Sequence, residues 1–360
     1  MNLVTLACRS IRVAAAVMVC CLVSSAVLAN GVSYEFVTVG NAGNASDETG
    51  YGAVAYEYQI GKYEVTMGQY AAFLNAVAAS DLNGLWNSDM ATIAQDAGIS
   101  QSGSPGSYSY TAIGPSGVVQ IPQATTSDRP ISHVGWFNAA RFANWMSNGK
   151  PSGAQGPTTT ENGAYDLSNW ASGIAPARNL INPNTGLAPT HLLPTENEWY
   201  KAAYYSPALN SGAGAYYTYA TQSSATPGNV VGGGNDANYI VGGLFSVTQS
   251  SVNDPNQNYL VNVGSFGSSF YGTFDQSGNV REWNDLDGIP SLVRGLRGGG
   301  YENSSATNVS SSQRSTPAAA NLIAGFRLAG PVAVPEPSTW VMGLSGLVCI
   351  SYTLSRRKRA

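Results

Sequence analysis

The stretch Tyr271-Gly-Thr-Phe-Asp-Gln-Ser-Gly-Asn-Val-Arg-Glu-Trp283 constrains the chain most, because small, amide, carboxylate and aromatic residues alternate in it too densely for a regular strand or helix. It reads as a structured loop. Asp275 and Glu282 offer carboxylate oxygens, and Gly278 lets the backbone turn without a Cβ penalty. The carbonyls of Gly278 and Val280 would then converge with those carboxylates on a hard cation such as calcium. Trp283 would anchor the far end in a core. The same residues would also make a tight turn in which Glu282 bonds backbone amides and no ion is held.

What surrounds such a loop follows from charge. Only 11% of the 360 residues are charged, against about 25% in ordinary soluble proteins, so the polar surface must come from Ser, Asn, Thr, Gly and Tyr. With 20 tyrosines and 41 glycines the chain points to a loop-rich α+β domain exported from the cytoplasm, not to a helical bundle. A net charge of -4, spread thinly, leaves no electrostatic footprint for nucleic acid. Cys8, Cys20 and Cys21 lie in an N-terminal apolar segment and Cys349 in a C-terminal one, with none between. The body therefore holds no disulfide, thiolate nucleophile or cysteine metal site. His133 and His191 are too few for a three-histidine centre.

Along the chain, Arg9 and Arg12 precede an apolar run that ends in Val27-Leu28-Ala29, a secretory signal peptide over residues 1–29 with the mature chain beginning near Asn30. Alternation predicts short strands from Tyr34 onward, the last over Tyr56–Val65. Thr66 and Gln69 form a capping box for a helix whose apolar face is Tyr70, Phe73, Leu74 and Val77. Residues 80–128 read as a long irregular excursion. A second helix follows, with Trp136, Ala140, Ala143 and Met146 at helical spacing, and His133 before it reads as a bonded, buried histidine. Thr195 and Glu198 cap a third helix with Trp199, Ala202 and Ala203 facing the core. Glu196 and Glu198 diverge by about 200° on that helix, which favours capping over a catalytic carboxylate pair. Another Gly-, Asn- and Tyr-rich stretch, 205–260, precedes the central loop. The triple glycine 298–300 lacks the residues of a phosphate cradle and reads as close backbone packing.

The tail combines Val334-Pro-Glu-Pro-Ser-Thr339, an apolar run from Trp340 to Leu354 and the basic Arg356-Arg-Lys-Arg359. As a helix the run spans about 22 Å, short of a hydrocarbon core of about 30 Å, with the basic end held in the cytoplasm.

Five blocks in order resemble the formylglycine-generating enzyme, or sulfatase-modifying-factor, family: Ile60–Tyr70, Pro130–Trp145, Leu193-Pro-Thr-Glu-Asn-Glu-Trp199, Gly278-Asn-Val-Arg-Glu-Trp283, and Arg297-Gly-Gly-Gly-Tyr301 with Gly325-Phe-Arg327. The tail is similar to the PEP-CTERM sorting signal, which in that system an exosortase recognises and removes. The resemblance implies one compact domain over 30–330 followed by a sorting segment at 331–360, with a fold related to C-type lectins. It also implies structural calcium at Asp275, Gly278, Val280 and Glu282, with Asn238 matching a ligand of a second calcium site.

Departures from the family bear on chemistry. The enzymes carry two copper-binding cysteines after the Arg-Gly-Gly block, and an ungapped count places Asn303 and Asn308 there. Amides are poor ligands for soft Cu(I), so copper and the formylglycine reaction are not expected. Arg281 stands where the family has an aromatic, and Leu192 where it usually has Arg. The expected function is a non-catalytic, exported binding or structural module of the envelope or extracellular matrix, with a polysaccharide or protein ligand. The alternative is an oxidoreductase, acting on a sulfatase cysteine or using a metal held by His133, His191 and carboxylates.

Overall fold

The computed structural model describes residues 32–112, 126–319 and 324–332. The expected signal peptide, sorting motif and apolar tail run lie outside them. Among the described residues, no helix is long and apolar enough to cross a membrane.

Among the described residues, three helices of more than one turn carry the packing. The first, α1 (Met67–Val77), opens on Thr66, whose hydroxyl accepts from Gln69 N while the Gln69 side chain accepts from Thr66 N. This is the reciprocal box read from sequence, and Tyr70, Phe73, Leu74 and Val77 are all buried. In the excursion that follows, α2 (Asp89–Thr92) is a single turn and β3 (Ser100–Ser102) pairs antiparallel with β4 (Ser109–Thr111). The next helix, α3 (Trp136–Ser147), was expected to bury one face, yet all twelve residues are buried. Aromatic contacts explain part of this. Phe142 stacks on Tyr70 at 6.0 Å and meets Phe73, Trp145 and Phe326 within 5.7 Å. The polar side of α3 is instead satisfied inside the protein: Asn144 donates to the Thr160 and Tyr165 carbonyls, and Arg141 pairs with Glu161 at 2.8 Å. The last helix, α4 (Glu196–Tyr204), has the expected Thr195 and Glu198 box and buries Trp199, Ala202 and Ala203.

Two three-stranded sheets flank this core. In one, β2 (Tyr58–Gly61) lies between β1 (Phe36–Val39) and β10 (Ala329–Pro331), antiparallel to both. In the other, β7 (Glu282–Asn284) lies between β8 (Gly295–Arg297), antiparallel, and β9 (Gly325–Phe326), parallel. The strand expected over Tyr56–Val65 is shorter: Lys62 N still donates to Glu35 O at its edge, but by Val65 the chain has turned away and Val65 N donates to Phe326 O instead. Phe326 ends β9 and Ala329 begins β10, so Arg327 and Leu328 are the crossing between the two sheets. β5 (Tyr205–Ser206) and β6 (Ala215–Tyr216) form a small hairpin after α4.

Glu196 is not limited to the capping role expected for it. Its Oε1 accepts from Arg297 Nε at 2.8 Å and from Arg314 Nε at 2.7 Å, and the Arg297 guanidinium sits between the Tyr51 and Tyr200 rings at 4.6 and 4.7 Å. Thr195→Ala removes the hydroxyl half of the α4 box and should cost about 1 kcal/mol in urea unfolding. A loss indistinguishable from zero would mean that Glu198, also held by Arg178 and Tyr56, fixes the helix start alone.

Candidate functional site: a buried carboxylate cluster at the central loop

The loop expected from sequence closes onto the inter-sheet crossing. Glu282, at the start of β7, is fully buried and accepts from Arg327 Nε and Nη2, both at 2.6 Å, and from Trp199 Nε1 at 2.8 Å. Arg327 spends its other donors on the carbonyls of Gly61, Lys62 and Phe274. One guanidinium thus ties β2, the central loop, β7 and the chain between β9 and β10. At the loop's end Trp283 Nε1 donates to Val134 O at 2.7 Å, the anchoring expected of it.

Asp275 is buried with a φ of 61°, a left-handed conformation that Asp and Asn tolerate better than most residues. Its Oδ2 accepts from Gly264 N, while Oδ1 has no partner. Gly278 has a φ of +96°, and a Cβ there would lie 2.4 Å from the Asn238 carbonyl oxygen, so only glycine fits. Val280 is buried and packs against Gly325. Asn238 lies against this same loop: its amide donates to Tyr259 O and to Asn279 Oδ1, and its carbonyl accepts from Asn279 N.

Sequence reasoning missed Glu64. It is buried, Oε2 accepts from Asn279 Nδ2 at 3.3 Å, and Oε1 has no partner. Burial pushes its carboxyl well above the ordinary range, and the charges of Asp275 and Glu282 push it further. Burial likewise raises Asp275 to about 7, against the pull of the Gly264 amide and Arg327. Three buried carboxyls therefore face one guanidinium. The available signal was that Arg327 is a lone charge in an apolar run, in a chain with few charges to place.

The two orphaned oxygens, Asp275 Oδ1 and Glu64 Oε1, would be open to a hard cation, and a proton on each carboxyl would balance the same charge. Glu282 is already engaged with Arg327, so the carboxylates that would hold the ion are Asp275 and Glu64. Among the described residues no three His, Cys, Asp or Glu side chains form a metal cluster, so backbone carbonyls such as those of Gly278 and Val280 would complete the set. A bound dication would supply charge neutralisation there, and nothing redox.

A cleft of about 190 Å³ opens beside the loop, walled by Asp96, Ser132, Arg281, Tyr301 and Glu302. Asp96 bridges His133 Nε2 at 2.8 Å and Ser132 Oγ at 3.3 Å, so His133 is the bonded, buried histidine that its sequence context suggested. Arg281 pairs with Glu302 at the mouth. His191 lies elsewhere, against Tyr34 and Phe36, with burial pushing its imidazole down to about 4.

A family profile described as the sulfatase-modifying factor enzyme 1-like domain matches residues 36–331. The chain belongs to that family. Among solved structures, Treponema denticola variable protein 1 is 19% identical with a TM-score of 0.46, covering 83% of this chain and 96% of that one. CarF is 20% identical with a TM-score of 0.44, covering 84% and 99%. PvdO from Pseudomonas aeruginosa is 16% identical with a TM-score of 0.38, covering 84% and 93%. No curated protein matches. Within the sulfatase-modifying-factor domain, Asn303 and Asn308 follow the triple glycine. Asn303 Oδ1 accepts from Gly300 N at 2.8 Å and its carbonyl from Ile240 N. The Asn308 carbonyl lies 2.3 Å from where a Cβ on Gly299 would sit, the close backbone packing expected of this block.

Two expectations follow from the cluster. Arg327→Met leaves Glu282 buried without its guanidinium and should cost about 3–5 kcal/mol in urea unfolding, and Arg327→Lys most of that because an ammonium cannot fork. A loss below about 1 kcal/mol would show that the pair is dispensable. The second concerns pH. Asp275 has a folded value, about 7, above its ordinary 3.8, so in that interval the folded state holds a proton that the unfolded state lacks. With chelator present, stability should therefore fall as pH rises from 5 to 7.5 (roughly the upper part of that interval). Asp285, also raised by burial to about 6, acts in the same direction, so Asp275→Asn should flatten the slope without abolishing it. An unchanged slope in that variant contradicts the assignment.

Proposed function

We propose that this sulfatase-modifying-factor domain is an exported, non-catalytic binding module, with calcium as a structural ion in the Asp275 loop. The observation that carries the reading is the use made of Asn303. Where the enzymes place a copper-binding cysteine, its amide oxygen holds the Gly300 turn, and an amide is a poor ligand for Cu(I). Asn308, at the second such position, brings the same ligand chemistry. No cysteine lies between Cys21 and Cys349 to substitute. Fold kinship with C-type lectins and a polysaccharide or protein ligand belong to the same reading. So do export through the residue 1–29 signal and sorting of the tail by an exosortase-type enzyme, with delivery to the envelope or matrix.

The decisive assay is a negative one. The purified protein, given Cu(I), oxygen and a sulfatase-derived cysteine peptide, should yield no formylglycine by mass spectrometry. Asn303→Cys with Asn308→Cys should gain copper affinity without turnover, because two thiolates can hold Cu(I) without positioning a substrate. Turnover by the unmodified protein would replace the binding module with the oxidoreductase.

A further inference from the structure

A second, larger cleft lies away from the carboxylate cluster. It has a volume of about 640 Å³ and runs between the 43–49 segment, the β5–β6 hairpin and Ser311 and Ser312. Its composition is selective. Among the described residues lining it there is no Lys, Arg or His, and no Leu, Ile, Val, Met, Phe or Trp. The walls are tyrosines, the Asn44 amide, serine and threonine hydroxyls, two carboxyl groups and small Gly and Ala residues.

We infer that this cleft is a binding groove for a short neutral or amino-bearing oligosaccharide. Each half of the composition removes a competitor. Without a cationic side chain, the groove offers nothing to phosphate, sulfate or a uronic acid. Without an aliphatic pocket, it has no place to seat the apolar anchors that dominate protein and peptide interfaces. What remains suits a sugar: the half-buried rings of Tyr216 and Tyr217 for the apolar face of a pyranose, with fixed donors and acceptors for its hydroxyls. Asp47 and Glu48 add acceptors that would also attract an ammonium on an amino sugar.

The groove is built before any ligand arrives. Asn44 Nδ2 donates to Gly52 O and lies 2.7 Å from the Tyr216 hydroxyl, which itself donates to Ala45 O at 2.7 Å. Asp47 Oδ1 accepts from Thr49 N at 2.8 Å and from its hydroxyl, while the Tyr200 hydroxyl donates to Oδ2. Burial opposes ionisation of Asp47, yet the Thr49 and Tyr200 donors hold its carboxyl below the ordinary range, so it stays an acceptor. Gly214 has a φ of +83°, and a Cβ there would lie 2.1 Å from the Tyr205 hydroxyl, so the hairpin closes directly over that ring. On the far side Ser311 N donates to Thr218 O at 2.8 Å. Walls fixed in this way lose little freedom on binding, which favours affinity for a flexible polar ligand.

The inference rests on the binding-module reading and supplies its ligand class. The test titrates the full chain with neutral glucose, mannose and galactose hexamers, a glucosamine hexamer and a mannuronate hexamer, followed by calorimetry. At least one neutral or amino hexamer should bind, the mannuronate should not, and Tyr217→Ala and Ser312→Trp should each weaken binding about tenfold or more. Ser312 is an exposed rim position, so its variant should melt as the wild type does and report on the groove rather than on folding. Binding of none of the neutral or amino hexamers, preference for the anionic one, or unchanged binding by the Ser312 variant would overturn the groove. Formylglycine turnover would instead overturn the module reading and leave the groove's own result standing.

Discussion

The ion pair between Arg327 and Glu282 is the contact on which the rest of the domain depends. Both side chains are fully buried, and taking two charges out of water costs several kcal/mol per ion unless every donor and acceptor is satisfied. Here they nearly are. The guanidinium reaches both oxygens of Glu282 and three backbone carbonyls, and Trp199 completes the carboxylate. Because Arg327 lies where the chain passes from β9 to β10, meeting those partners fixes how the two sheets and α4 stand to one another. The pair leaves one debt unpaid. Glu64 and Asp275 are buried beside it with an oxygen each unmatched, so protons or a cation must make up the charge.

Much of this was legible in the residues. The boxes at Thr66 and Thr195 and the apolar face of α1 follow from local rules, because a cap and a helical period are written within four residues of one another. The turn at Gly278 and the anchoring of Trp283 were legible for the same reason. What failed to show was long-range charge pairing. A charged fraction of 11% suggested that charge is simply scarce, whereas Arg129, Arg141, Arg294, Arg297 and Arg327 are among the largest fully buried side chains. Glu64 and Arg327 are 263 residues apart and neither sits in a spacing pattern, so no periodicity could join them. Glu196 misled for a related reason: at a helix start a carboxylate suits the dipole, and its pairing with Arg297 and Arg314 depends on the fold.

The low regular content of the chain is compatible with a stable core because backbone groups are satisfied by side chains in the loops. Asn44, Asn144, Asn182, Asn229 and Asn238 each donate to main-chain carbonyls, replacing ladder hydrogen bonds that strands would have made. That use of asparagine holds the loops through hydrogen bonds in place of regular ladders. It also separates two roles along the chain: the buried carboxylate cluster organises the fold, and the tyrosine cleft faces solvent.

The proposed hard cation beside Arg327 would neutralise the buried carboxylate excess in the folded protein. The direct measurement is the calcium content of the folded chain after dialysis at about pH 7.5, with Asp275→Asn as the control. The account predicts about one tightly held calcium per wild-type chain, lost or much weakened in the variant. A folded wild-type protein that stays free of calcium in excess ion would contradict it, and would mean that Asp275 and Glu64 balance their charge with protons alone.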